Sequence, residues 1–328
     1  MMKGKVIFDR SYKSLLTDLS LIKRGPANAT WESLPLHEEV KGEVIIECIK
    51  NTITKVDSSK VGPSKDVLCA YDESILELNT LEGVLRCITH CSVLQTDRRY
   101  FPSGFVSLKY FTSSSKVSDR FDLTDNVFQT SDLAKSMNEH YIAERLQFLS
   151  EWAPSESVIF IDGSLFSGAS TSGNFQLVKN LLKRDTYPIF FVKNSSSTII
   201  RDNYEQASGY HNDLHWAYST LKEGEMSPLF QYQSKDKRTK IIGFLKVFNN
   251  RSPIRIEFPG DAYLKGLYPA NILETIYYQY LANGFSSNVQ PKIIQVAELY
   301  AREILKSTNL YSEVEKLGLI KTMNEERF

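Results

Sequence analysis

The chain has 328 residues, 42% of them hydrophobic and 24% charged, a balance that excludes a disordered or fibrous protein and fits one elaborated α/β core. Its 39 Lys and Arg equal its 39 Asp and Glu, so no global charge draws it to nucleic acid, and a DNA-binding surface has to be local. Cys48, Cys69, Cys87 and Cys91 form no CxxC pair, which argues against a zinc site and for reduced, mostly buried thiols.

The opening residues do not read as a leader peptide, and no run approaches the roughly 20 apolar residues of a membrane span. The expectation is a cytoplasmic protein with no membrane contact. Residues 1–60 combine a helical pattern around Tyr12 to Lys23, a Gly25-Pro26 break and an apolar run from Val44 to Ile53. They read as an N-terminal extension packing on a core domain that spans 61–328.

Val67 to Tyr71 is a compact apolar run entered from Gly62-Pro63, and predicts a buried strand with Asp72 at its end. Gly83 to Leu94 and Gly104 to Thr112 are rich in β-branched and aromatic residues and predict two more strands, completing an antiparallel meander. Ser131 can cap a helix from about Asp132 to Trp152, ended by Pro154. Ser157 to Ile161 is a strand followed at once by Asp162-Gly163-Ser164-Leu165. A helix from about Asn174 to Lys183 and a strand from Pro188 to Val192 come next, the strand finishing at Lys193. Strands at Lys240 to Phe248 and Ile254 to Phe258 precede a helical C-terminal region broken by Gly284 and Pro291. Three strands, a helix, a strand, a helix and a strand are the element order of ribonuclease-H-like folds: a mixed sheet flanked by helices, here with an N-terminal extension and a C-terminal helical region. This is an analogy of topology and not of chemistry.

In such a sheet the first and fourth strands are neighbours, so Asp72 and Asp162 would meet at one end. Cleavage of a phosphodiester by two metals needs carboxylates converging on ions about 3.5–4 Å apart, and hard Mg²⁺ or Mn²⁺ prefers such oxygen ligands. Taken singly, an Asp after a strand is ordinarily a turn or cap residue. The combination points further: two strand-end aspartates, an acidic helix between them and a lysine ending the next strand. Glu139 and Glu144 lie about one and a half helical turns apart, so at most one faces the site. Glu144 is preferred, although periodicity does not exclude Glu139.

These residues resemble the NurA family of nucleases. The motifs run in order from about Val67 to Ile304: Tyr71-Asp72-Glu73-Ser74, with Glu73 in place of the usual Gly; Ile161-Asp162-Gly163-Ser164-Leu165; Val192-Lys193-Asn194-Ser195-Ser196-Ser197; Arg255-Ile256-Glu257-Phe258; and Pro291 to Ala297-Glu298, where the family shows His or Asp. The resemblance implies metal-dependent hydrolysis of DNA, with Asp72, Glu144, Asp162 and Glu298 as ligands to Mn²⁺ or Mg²⁺ in a two-metal site. Lys193 would neutralise charge on the phosphate, and Lys193, Ser195, Ser196 and Arg255 would contact DNA. It also implies a homodimer fed with DNA by a HerA-type hexameric ATPase; this sequence shows no Gly-rich Lys-Ser/Thr phosphate loop, so any ATP-driven motion is expected from another protein.

Two other readings are kept. Glu73 and Glu298 favour a catalytically inactive scaffold that partners the ATPase, and the related actin-like fold raises an ATP-binding protein, for which no Gly-rich adenosine segment is visible. His211 and His215 are four apart and could share a helical face, but no acidic motif accompanies them, and a metal role is not expected. Trp216 and the tyrosines of Ile276 to Tyr280 read as packing, with Tyr300 as the aromatic nearest the site.

Overall fold

The computed structural model describes residues 37–39, 45–64, 67–97, 99–115, 126–166, 171–284 and 289–316. The helical pattern around Tyr12 to Lys23 lies outside them. The strands are β1 (His37–Glu39), β2 (Ile45–Lys50), β3 (Thr54–Lys55), β4 (Val67–Asn79), β5 (Val84–Thr96), β6 (Arg99–Thr112), β7 (Val127–Gln129), β8 (Ser157–Asp162), β9 (Thr186–Val192), β10 (Glu225–Met226), β11 (Leu229–Gln233), β12 (Thr239–Lys246) and β13 (Ile254–Pro259). The α-helices are α1 (Leu133–Trp152), α2 (Thr171–Leu182), α3 (Asp213–Thr220), α4 (Gly260–Leu264), α5 (Ile272–Asn283), α6 (Lys292–Ser307) and α7 (Leu310–Lys316).

Strands β4, β5 and β6 form the antiparallel meander, and β8 and β9 continue the sheet parallel to β4, giving the order β9-β8-β4-β5-β6. That is the ribonuclease-H-like core. On the β9 side the sheet runs on through antiparallel β13, β12, β11 and β2. Side chains alternate between faces along a strand, and β4 and β8 are apolar on both. Cys69, Tyr71, Ile159 and Ile161 pack under α1 and α2 with Phe148, Leu149, Leu177 and Leu181. Leu68, Ala70, Phe160 and Phe191 pack under α5 and α6 with Ile276, Tyr280, Ile294 and Ala297. Helix α6 lies across β4, β5 and β6. Its close approach needs Gly104, where a Cβ would meet Ile304 Cδ1 at 2.6 Å. A third cluster holds Trp216, Ile46, Cys48, Phe230 and Phe244, so Trp216 is a core residue.

Several elements differ from the sequence reading. Strand β4 does not stop before Asp72 but runs on to Asn79, paired with β5 alone. The hairpin between β5 and β6 is tight, turning at Asp97 with φ 56°, and β6 begins at Arg99 rather than Gly104. Asp132, not Ser131, caps α1 by accepting from Lys135 N–H. Ile45–Lys50, expected in an extension, is a strand of the sheet itself, burying Ile46 and Cys48 against β11. The four cysteines are buried free thiols, and burial pushes Cys69 up to about 11. Among the described residues no helix is long and apolar enough to cross a membrane.

Candidate active site

Parallel pairing of β4 with β8 ends at Tyr71 and Ile161, so the next residues, Asp72 and Asp162, sit side by side at the carboxyl ends of the parallel strands. Open α/β sheets place their ligands at that end. Gly163, with φ +99°, turns the chain away there, and its N–H donates to Phe191 O at 2.9 Å. Lys193, just past β9, reaches back to Asp162 Oδ2 at 2.9 Å.

Asp72 is 7% exposed. Burial, then the charges of Glu73 and Asp162, push its carboxyl up to about 8, against the opposing pull of the Glu73 N–H and Lys193. Burial also raises Asp162, opposed chiefly by Lys193. Buried Asp72 and half-buried Asp162 share the cation Lys193, and hard oxygen donors of this kind suit a divalent cation.

Glu73, read from the sequence only as a departure from the family motif that favours an inactive scaffold, stands beside the site. It points to the other sheet face, where it accepts from Tyr141 Oη at 2.6 Å. An Asp-Glu doublet in a strand puts its carboxylates on opposite faces, which is the signal that was available.

The expected ligand Glu144 is held elsewhere. Its partners are Lys109 at 2.7 Å and His90 at 3.7 Å, and His90 lies opposite Glu73 in the β4–β5 register. It is therefore on the α1 side of the sheet, while Asp72, opposite Cys91, faces α6. Burial works to raise Glu144, but His90, Lys109 and Ser107 prevail and hold it at about 2. Glu139 is exposed beside Lys135. Glu144→Ala should leave Lys109 without its counter-charge and cost about 3 kcal/mol of stability, measured by urea unfolding, while Mn²⁺ binding persists.

Glu298 lies on α6, the helix covering the Asp72 face, and accepts from Gln290 at 2.6 Å and from Arg302. The structure thus brings Asp72, Asp162 and Lys193 together but does not gather four carboxylates. Among the described residues no group of three or more His, Cys, Asp or Glu is set to hold a metal ion.

Arg255, expected to touch DNA, is 5% exposed and binds Glu257 Oε1 at 2.6 Å and Ser195 Oγ at 3.1 Å. Mid-sheet β13 is covered on both faces, so its polar side chains are interior. Ser195 is also buried, whereas Asn194 and Ser196 are exposed on the same turn. Buried Asp213 organises that turn, accepting from Ser197 Oγ at 2.8 Å and from the Ile200 and Arg201 N–H groups at 2.9 Å. His211 precedes Asn212, the cap of α3, and so is not on a helical face with His215, whose Nδ1 accepts from His211 N. Tyr300 is half-exposed on α6.

A profile of the NurA domain matches residues 95–303. The structure superposes on the NurA nuclease from Sulfolobus solfataricus with a TM-score of 0.52 and 13% identity, covering 94% of this chain and 95% of that one. Weaker likenesses are to a NurA crystallised with manganese (TM-score 0.43, 8% identity, 94% and 97% covered) and to Ciona intestinalis endonuclease V bound to inosine-containing DNA (0.38, 16%, 78% and 92%). No curated protein matches. The domain profile begins at the end of β5, leaving β4 and Asp72 before it, and covers more than half of the sequence, and the chain belongs to the NurA family.

Proposed function

We propose that the protein is a cytoplasmic, divalent-cation-dependent DNA nuclease with its site at Asp72, Asp162 and Lys193. The observation that carries this is the pair of crowded aspartates on adjacent parallel strands, with a lysine 2.9 Å from one of them. The two aspartates fit Mn²⁺ or Mg²⁺, which characteristically takes one or two carboxylates and completes its shell with water and phosphate oxygens. When bound, such a cation supplies an activated water and charge stabilisation at phosphorus.

The chain's own residues then have distinct parts. Asp72 and Asp162 orient the ion, and Lys193 offers a preorganised positive charge to the phosphate. Asn194 and Ser196, exposed on the following turn, position the DNA backbone without reading sequence. Buried Ser195 and Arg255 shape that turn from behind. Glu298, on the helix over the same face, is the further candidate ligand, and a two-metal site would require it or a second pair of oxygens. Glu144 is assigned to stability. The family resemblance supports a homodimer that receives DNA from a HerA-type hexameric ATPase, in end processing or anti-phage defence.

The engagement of Glu298 by Arg302 and Gln290 favours one alternative, an inactive scaffold of the ATPase. End-labelled linear DNA incubated with Mn²⁺ or with EDTA, each with and without the ATPase, separates the two. Cation-dependent degradation supports the nuclease; Mn²⁺ binding with inert DNA in every arm supports the scaffold.

A further inference from the structure

Glu257 is fully buried in β13. Its Oε2 accepts from Leu165 N–H at 2.8 Å and Ser164 Oγ at 2.9 Å, both in the turn that follows Asp162. Its Oε1 takes Lys240 at 2.8 Å and Arg255 at 2.6 Å. Arg255 extends the chain to Ser195, two residues beyond Lys193. One carboxylate is therefore bonded to the turn carrying Asp162 and, through one guanidinium, to the turn carrying Lys193. From the opposite side Asn174 donates to the Ser164 and Leu165 carbonyls at 3.1 Å, and Arg145 donates to Asn174.

A buried ion cluster is a poor way to gain stability, since apolar residues of the same volume serve as well or better. What a carboxylate provides at this point is an acceptor for the Leu165 N–H and for the Ser164 hydroxyl, which also reaches Phe166 O at 3.0 Å, and a counter-charge for the arginine that grips the other turn. We infer that Glu257 is a positioning residue which fixes the separation of Asp162 and Lys193 by anchoring both turns to one group. This deepens the nuclease reading and rests on it.

The test compares wild type with Glu257→Gln, and with Lys246→Met as a control that removes another buried charge, whose partner, the Tyr218 carbonyl at 2.7 Å, belongs to neither turn. Hydrogen exchange should quicken about tenfold in peptides covering 163–166 and 194–201 together for Glu257→Gln, and in neither for Lys246→Met. By calorimetry the Mn²⁺ dissociation constant of Glu257→Gln should rise about tenfold. On linear DNA kcat should fall by a similar factor with KM unchanged. Should the single variant not fold, Lys240→Met/Glu257→Gln, which removes the two opposite charges together, is read instead. Exchange that quickens in only one turn, or equally in the Lys246→Met control, overturns the inference. So does unchanged Mn²⁺ affinity in a variant whose wild type binds the ion. A wild type that binds no Mn²⁺ overturns the nuclease reading, and the exchange data then still decide whether Glu257 anchors both turns.

Discussion

Asp162→Ala is expected to lower Mn²⁺-dependent degradation of linear DNA by at least about 10³-fold, the scale on which loss of a central electrostatic group is felt in a preorganised site. Two effects combine. The variant removes one of the two aspartates at the strand ends, and it releases Lys193, whose Nζ is held at 2.9 Å from Oδ2. The fold should survive. Asp162 is the last residue of β8 and its ion pair is partly exposed, with side chains 24% and 28% accessible, so the lost pair contributes little to stability. Near-native circular dichroism and unfolding midpoint, together with the loss of cleavage, would place the chemistry at this carboxylate. A variant that keeps more than a tenth of wild-type activity would move the site elsewhere.

The pairing of Asp72 with Asp162 was legible because two short apolar runs, each closed by Asp, are what a sheet covered on both faces requires. Lys193 followed from the same pattern in β9. The direction of Glu144 was not legible. Helix α1 buries Glu144 and Arg145 along with Phe148 and Leu149, so polar residues fall on its inner face and hydrophobic periodicity says nothing about which glutamate points where. The residues Arg255 and Glu257 hid for a related reason. Their alternation with Ile254, Ile256 and Phe258 imitates a strand with a solvent-facing side, whereas both faces of β13 are covered and the charges pair with each other. The continuation of β4 past Asp72 was missed because Asp72-Glu73-Ser74 breaks the apolar run and Ile75-Leu76 spoils the period-two alternation beyond it. The place of Ile45–Lys50 depended on β11, some 180 residues away, and no local pattern carries that information.

Asp72→Asn should make the metal-free protein more stable, and the gain should depend on pH with a definite sign. In the folded chain Asp72 is pushed up to about 8 from an ordinary 3.8, by burial first and then by Glu73 and Asp162. The folded state thus keeps a proton that the unfolded state releases. That contribution to stability is complete below about pH 4, declines as pH rises from there, and is gone once pH passes about 8. At about 1.4 kcal/mol per pKa unit, the full shift sets a ceiling of about 5 to 6 kcal/mol. Asparagine has no proton to lose and keeps an oxygen for the Glu73 N–H, which Asp72 Oδ1 accepts at 2.8 Å. In a chelator, unfolding of the two proteins by urea should therefore agree near pH 4 and separate by about 2–4 kcal/mol in favour of the variant near pH 8.5. Saturating Mn²⁺ should reverse the order, because a ligand bound only by the folded wild type stabilises it by mass action, while the variant has lost one of the two carboxylates. Curves that stay parallel across pH, or a variant that Mn²⁺ stabilises as much as wild type, would mean that the charge of Asp72 is neither held at a cost nor used to hold a cation.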